Sequence, residues 1–128
     1  MPRYLILITL LLTLLLAGCA KEGKSTDVIG NYIKAKAAAD QDKLVDLACN
    51  AWQQNALLDA APFASTENKV ENMKCSETGT DGDYTLVACT GTLIVGYGGE
   101  APREQDLGAV TYRAIKEDGE WKMCGEEK

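Results

Sequence analysis

The amino-acid sequence predicts an α+β domain in which two or three N-terminal helices pack on a curved antiparallel sheet of about four strands. Two observations predict this class. In the first half, apolar residues recur every three or four positions, the spacing of an amphipathic helix. From about residue 70 onward, segments rich in Val, Thr, Tyr and Ile alternate with Gly-containing turns, which is typical of hairpins. A chain of 128 residues is long enough for one such domain.

The first helix follows the polar run Ser25, Thr26 and Asp27, whose side chains can accept backbone N–H bonds at a helix start. Its apolar stripe comprises Val28, Ile29, Tyr32, Ile33 and Ala37.

Asp40 is expected to cap a second helix, on which Cys49 lies beside an apolar stripe. That stripe comprises Leu44, Val45, Ala48 and Trp52. Helical spacing continues through Leu57 and Leu58 to Pro62, with a break expected at residues 53–55.

Four strands are expected at residues 70–77, 84–97, 107–116 and 120–124. The intervening segments "TDGD", "GYGGEAPRE" and "EDG" have turn composition, so three successive hairpins are the simplest connection. Gly96, Gly98 and Gly99 are assigned to a hairpin loop, because no Lys-Ser/Thr and no helix follow them as in a phosphate-binding loop.

The N-terminus has the pattern of an export signal. Residues 1–3 include Arg3, and the apolar run at residues 4–16 is 13 residues long. A spanning helix needs about 20 apolar residues, whereas the apolar region of a secretory signal has about 7–15. The run is therefore too short to span a bilayer and suits a cleaved signal.

Leu16-Ala17-Gly18-Cys19, directly after that run, resembles the lipobox of bacterial lipoprotein signal peptides. The resemblance implies that residues 1–18 are removed and that Cys19 carries lipid. Membrane lipid is then a partner, and the protein is anchored to the outer face of the cell membrane, or to an outer membrane where one exists. We expect a tether at residues 19–26, a domain at 27–125 and a tail at 126–128.

Charge and composition narrow the function classes. Loss of residues 1–18 removes Arg3 and leaves 12 basic and 19 acidic residues, a formal charge of −7, which disfavours nucleic acid as a partner. The chain contains no histidine, so Ser-His-Asp and Cys-His catalysis and the commonest zinc ligand are excluded. We expect no metal and no cofactor.

Four cysteines remain beside Cys19, and their wide spacing favours two structural disulfides over a metal site. A hairpin centred on Gly82 places Cys75 opposite Cys89. Cys49 and Cys124 then join the helical layer to the last strand. A register slip of one residue would separate Cys75 from Cys89, so the other two ways of pairing the four cysteines remain alternatives at this point.

Two segments carry a resemblance to a known superfamily: "YIKAKAAADQDKLVDLA", residues 32–48, and "AIKEDGEWKMCG", residues 114–125. They resemble the helix pair and closing hairpin of the cone-shaped fold shared by nuclear transport factor 2, ketosteroid isomerase and polyketide cyclases. With its four spaced cysteines, the chain is similar to small bacterial lipoproteins of this type. Members usually have two further strands or a longer insert between the second and third helices, so the resemblance implies a shallower cone here.

Enzymes of that superfamily use a carboxylate or imidazole base with Tyr or Asp donors. Asp40 is explained as a helix cap, and Asp46 and Asp59 as solvated helix residues. Trp52 and Trp121 are assigned to the shared core. No catalytic residue is therefore assigned. The candidate pocket residues are Tyr84, Tyr97 and Tyr112.

The sequence thus predicts a noncatalytic binding or interaction module anchored outside the cytoplasmic membrane. Its expected partner is an envelope protein or a small hydrophobic ligand. The alternative is a cyclase- or isomerase-like enzyme that acts on a small hydrophobic substrate.

Overall fold

Three helices pack on a five-stranded antiparallel sheet in the computed structural model, which describes residues 23–128. The predicted α+β class is confirmed. The helices are α1 (Ser25–Ala37), α2 (Gln41–Leu47) and α3 (Gln53–Asp59). The strands are β1 (Glu67–Asp81), β2 (Tyr84–Gly96), β3 (Arg103–Asp106), β4 (Thr111–Glu117) and β5 (Glu120–Glu127).

Helix α1 begins at Ser25, ahead of the domain boundary expected at Asp27. Asp27 accepts a hydrogen bond from the backbone N–H of Lys24 at 3.2 Å, which satisfies a polar group at the helix start. Ser25 is fully buried, and its hydroxyl donates to Glu77 on β1 at 2.5 Å. Ser25 therefore belongs to the packed domain, because its side chain binds the sheet.

Helix α2 has the predicted cap, since the Asp40 carboxylate accepts from the backbone N–H of Lys43 at 3.1 Å. The helix ends at Leu47, and the prediction that Cys49 lies on it is wrong. Ala48 forms a parallel bridge with Met123, and the N–H of Cys49 donates to the Met123 carbonyl at 2.8 Å. Pairing with the edge of the sheet thus replaces the last helical turn.

The sheet has the order β1-β2-β4-β5, and β3 pairs with β2 beyond the end of β4. Strand β3 lies between two of the expected strands, and its first two residues belong to the segment "GYGGEAPRE", to which turn composition was assigned. The strand expected at residues 107–116 instead begins with a 3₁₀ turn, Leu107–Ala109, where the Asp106 carboxylate accepts from Gly108 N–H at 2.8 Å. A single strand was expected at residues 107–116, where this turn and β4 follow one another.

The β1–β2 register agrees with the pairing of Cys75 and Cys89 that the sequence favoured. Cys75 lies opposite Cys89, and the structure contains the disulfides Cys75–Cys89 and Cys49–Cys124. Register shifts on either side of Cys75 were not expected. One of them leaves Gly91 at φ +117°, where an added Cβ would lie 2.7 Å from a backbone oxygen of β1.

The core lies between α1 and the inner face of the sheet, which we define as the face that packs on the helices. Trp52 and Trp121 pack against this core, as predicted. Its largest fully buried side chains include Tyr32, Ile29, Leu44, Met123, Val87 and Val95.

Candidate functional site

Five polar side chains meet between α1, α3 and the inner face of the sheet. Tyr32 and Lys36 lie one turn apart on α1, so they project from the same side of the helix. Asp59 is the last residue of α3, and Tyr112 and Glu126 lie opposite each other on β4 and β5. We call these five residues the interior polar cluster.

Hydrogen bonds and two ion pairs connect most of the cluster. The Tyr32 hydroxyl donates to Asp59 Oδ2 at 2.5 Å and accepts from Trp52 Nε1–H at 3.3 Å. Lys36 Nζ lies 3.1 Å from Glu126 Oε1 and 4.0 Å from Asp59 Oδ1. Helix α1 is thereby connected to both α3 and strand β5.

A register shift in β5 places Glu126 in this cluster. Ala114 lies opposite Met123, whereas Tyr112 lies opposite Glu126, so β5 holds one residue more than β4 between these pairs. In a regular strand, Met123 and Glu126 would point to opposite faces. The extra residue brings Glu126 to the inner face, within reach of Lys36. Strand β5 also continues into the expected tail.

The electrostatic environment favours protonated tyrosines. Burial raises the pKa of Tyr32, and the hydrogen bond and charge of Asp59 raise that pKa further. Burial likewise raises the pKa of Tyr112, with added contributions from the negative charges of Glu126 and Asp59. Both hydroxyls therefore remain un-ionised at neutral pH, and that of Tyr32 donates to Asp59.

The three tyrosines predicted to form a pocket lie in different places. Tyr84 contacts Arg113, whose guanidinium carbon is 5.6 Å from the ring centroid. Tyr97 follows β2 and lies against Arg103 at 5.0 Å. Tyr112 belongs to the interior polar cluster. The structure therefore does not bring these three residues together in one pocket.

The cluster contains residues that sequence reasoning missed. Asp59 was expected to be solvated, but its side chain is only 20 % exposed and binds Tyr32, so that prediction is wrong. Lys36 and Glu126 were not singled out at all. The four-residue spacing of Tyr32 and Lys36 was a usable signal, whereas the position of Glu126 depends on a bulge that the sequence pattern does not show.

The domain has two distinct ends. Ser25, at the start of α1, binds Glu77, whereas the carbonyl of Ala37, at its end, accepts from the Asn68 amide at 3.0 Å. Helix α1 therefore runs antiparallel to β1. The end that includes Ser25 carries the connection to Cys19, which itself lies outside the described residues.

Three large apolar residues are notably exposed: Leu57 by 41 %, Leu58 by 71 % and Tyr97 by 37 %. The Leu57 carbonyl accepts from Gln41, just beyond the end of α1, and Tyr97 follows Gly96, which pairs with Glu67 at the start of β1. All three therefore lie at the end opposite Ser25. We call them the distal surface.

Five surface clefts of residues 23–128 have volumes of 410–610 Å³. The cleft of 610 Å³ is bordered by Tyr97 and the following glycines, and none of the five is lined by Tyr32, Tyr112 or Glu126. In this part of the chain, no three His, Cys, Asp or Glu residues are grouped so as to hold a metal ion. None of its helices is both long and apolar enough to cross a bilayer.

Comparison with known proteins gives few matches. No protein-family model matches the chain, and no curated protein matches it. Among solved structures, it is similar to the solution structure of a protein from Rhodopseudomonas palustris that contains a SEC-C motif. The identity is 16 % and the TM-score is 0.47, over 74 % of this chain and 70 % of that one.

Proposed function

We propose that this protein is an exported, lipid-anchored binding module that is held at a membrane by acylated Cys19 and presents its domain to an envelope partner. One observation carries the proposal. Four of the five cysteines form two disulfides, and the fifth lies in the lipobox-like sequence Leu16-Ala17-Gly18-Cys19. Disulfides persist in oxidising compartments outside the cytoplasm, which agrees with export.

The order of helices followed by a strand meander supports assigning the domain to the cone-shaped superfamily that includes nuclear transport factor 2. Asp40 caps α2 between the first two helices, within the segment 32–48 that carries the resemblance, and β4 and β5 form the closing hairpin. The interior polar cluster supports binding better than catalysis. The proton of Tyr32 is committed to Asp59, and Lys36 is paired with Glu126.

The connection between Cys19 and Ser25 limits how the domain is presented. Five intervening residues reach at most about 20 Å when extended. Lipid on Cys19 would therefore keep the Ser25 end near the bilayer and turn the distal surface away from it. The exposed apolar side chains of this surface are available for protein–protein contact. We assign the distal surface to an envelope protein on this basis.

Intact mass of the membrane-extracted protein, before and after reduction, tests the anchor. We expect the mass of residues 19–128 plus acyl chains, with a gain of four hydrogens on reduction. The variant Cys19→Ser should lose the acyl mass and membrane retention, whereas Ala20→Ser should keep both. A mass equal to residues 1–128 with five free thiols would contradict the proposal.

Photo-crosslinking in native membranes tests the interaction surface. A crosslinker at Leu58 should give one defined protein adduct, whereas a crosslinker at exposed Asp118, in the hairpin between β4 and β5, should not. Equal labelling from both positions would contradict the assignment of the distal surface.

The second candidate is a cyclase- or isomerase-like enzyme. Asp59 favours this candidate, because its carboxylate is partly buried and accepts a hydrogen bond from a tyrosine. Such an enzyme would exchange the α-protons of a small hydrophobic ketone, such as cyclohexenone, for deuterium. The variant Asp59→Asn should then abolish exchange, whereas exposed Asp46→Asn should not. Exchange equal to that in buffer would exclude this activity for that substrate.

A further inference from the structure

The Cys75–Cys89 disulfide lies at an edge of the sheet. Cys75 belongs to β1, and no strand of residues 23–128 pairs with the outer side of β1. Cys89 belongs to β2, the strand behind it. Cys75 is half-buried, whereas Cys89 is fully buried. A thiolate that breaks a disulfide approaches one sulfur from the side opposite the other. The outer side of β1 offers such an approach to Cys75, because Cys89 lies behind it.

A cleft of 490 Å³ between α1 and β1 reaches this disulfide. Of the five clefts described above, it is the one that a disulfide cysteine lines, and that cysteine is Cys75. Gly30, in the middle of α1, also lines it. A Cβ at Gly30 would lie 3.9 Å from Cys75 Sγ and 3.3 Å from Met73 Cε. Glycine is unfavourable within a helix, and here its missing side chain leaves space beside the sulfur.

A positive charge borders the same cleft. Lys34 lies one helical turn after Gly30, and its exposed ammonium has no hydrogen bond or ion pair with another of residues 23–128. The carboxylate in this cleft, that of Asp27, accepts from the Lys24 backbone N–H at the helix start. A nearby ammonium favours a thiolate over a thiol. The available charge therefore favours the form of sulfur that attacks and leaves in thiol–disulfide exchange.

The Cys49–Cys124 disulfide is less accessible. Cys49 is fully buried, and its N–H donates to the Met123 carbonyl, next to Cys124 in β5. Ala48 also pairs with Met123, so this part of the chain covers the edge of β5. None of the five clefts is lined by either cysteine. The molecule thus contains one disulfide that an external thiol can reach and one that it cannot.

We propose that Cys75–Cys89 is a site of thiol–disulfide exchange, at which an external dithiol attacks Cys75. One thiolate of the dithiol forms a bond with Cys75 Sγ, and the Cys75–Cys89 bond breaks. Its electron pair leaves on Cys89, which takes up a proton. The second thiolate of the dithiol then attacks the dithiol's own bridged sulfur and releases Cys75 as a thiolate. The protein disulfide gains two electrons, and the dithiol loses two and becomes a disulfide. This reaction goes beyond the proposed binding function and does not require lipid on Cys19.

Partial reduction of the folded full chain in detergent tests the site, with dithiothreitol as the dithiol. Free thiols are alkylated at successive times, and peptide masses give the reduced fraction of each disulfide. We expect Cys75–Cys89 to be reduced about tenfold or more faster than Cys49–Cys124. In concentrated urea, where both are accessible, the rates should converge. Equal rates in the folded chain, faster reduction of Cys49–Cys124, or an unchanged ratio in urea would overturn the proposal.

Single cysteine variants identify the sulfur that is attacked. Cys89→Ala leaves a thiol at Cys75, and Cys75→Ala leaves one at Cys89. We expect dithiodipyridine, an aromatic disulfide, to react with the Cys75 thiol about tenfold or more faster than with the Cys89 thiol in the folded chain. Peptide masses assign the reacting cysteine. A Cys89 thiol that reacts as fast or faster would refute attack at Cys75.

Variants of the cleft keep all four cysteines and decide the question where a cysteine variant fails to fold. Gly30→Ala should slow reduction of Cys75–Cys89 several-fold, because the added Cβ narrows the cleft, whereas Gly98→Ala, in open space, should not. Lys34→Gln should also slow it, whereas Lys43→Gln, at an exposed position of α2, should not. Reduction that is unchanged in Gly30→Ala, or slowed equally for both disulfides, would refute access through this cleft.

Discussion

Removal of the Cys49–Cys124 disulfide should destabilise the domain more than removal of Cys75–Cys89. In the chain-entropy model, a disulfide stabilises by restricting the unfolded chain, and this effect grows with the loop that it closes. The loops span 75 and 14 residues, which correspond to about 4.5 and about 3 kcal/mol. We expect the two losses to differ by about 1.5 kcal/mol.

The two pairs are well matched as controls for each other. Each double alanine variant, Cys49→Ala/Cys124→Ala or Cys75→Ala/Cys89→Ala, deletes two sulfur atoms. Each pair also has one fully buried member, Cys49 or Cys89, and one half-buried member. Differences in lost packing should therefore be small beside the difference in loop closure.

Urea unfolding followed by tryptophan fluorescence measures the free energies by linear extrapolation. Both variants should also show a larger dependence on urea, because an uncrosslinked unfolded chain exposes more surface. A Cys75→Ala/Cys89→Ala variant that loses as much stability as the other, or more, would refute the loop-length argument. Local packing around the β1–β2 hairpin would then be the dominant contribution.

Three further predictions follow from local geometry. Asp40→Ala should lower the free energy of unfolding by about 1 kcal/mol through loss of the helix cap, and Asp42→Ala by less; equal losses in urea unfolding would contradict the cap. Gly91→Ala should lower the free energy of unfolding by about 2 kcal/mol or more, because the added Cβ would meet backbone oxygens at 2.7 and 2.8 Å. Gly98 lies in open space, so Gly98→Ala should be nearly neutral. Because folding raises the pKa of Tyr112, its contribution to stability is complete below about pH 10 and is lost as the pH rises further. Urea unfolding at several pH values should show a weaker alkaline loss in Tyr112→Phe, and an unchanged pH profile would contradict this assignment.

The fold class was predictable from the sequence because its signals are local. Asp40 caps a helix through a hydrogen bond to a residue three positions away, and the turn at Gly82 sets the pairing of its two flanking strands. The match between Cys75 and Cys89 also depends on a bulge. Next to the turn Asp81 lies opposite Tyr84, and the register shift between Glu77 and Gly79 then brings Cys75 opposite Cys89.

The errors lie where distant segments compete with local preference. The sequence around Cys49 has helical spacing, but pairing of Ala48 with Met123 provides backbone hydrogen bonds at the sheet edge and ends the helix. Strand β3 was missed because its four residues are all exposed and have no apolar alternation. Its strand conformation depends on the hydrogen bonds that β2 offers.

The sequence by itself determined the broad division into helices and strands and the absence of histidine chemistry. It also showed that the apolar run at residues 4–16 is too short to span a bilayer, and it set Cys19 apart from four pairable cysteines. These features depend on composition and short-range spacing. Only the tertiary structure decided that Lys36, Asp59 and Glu126 meet beside two tyrosines. The end of α3, a bulged strand and the C-terminal half of α1 converge there, and sequence periodicity carries no information on such distances in space.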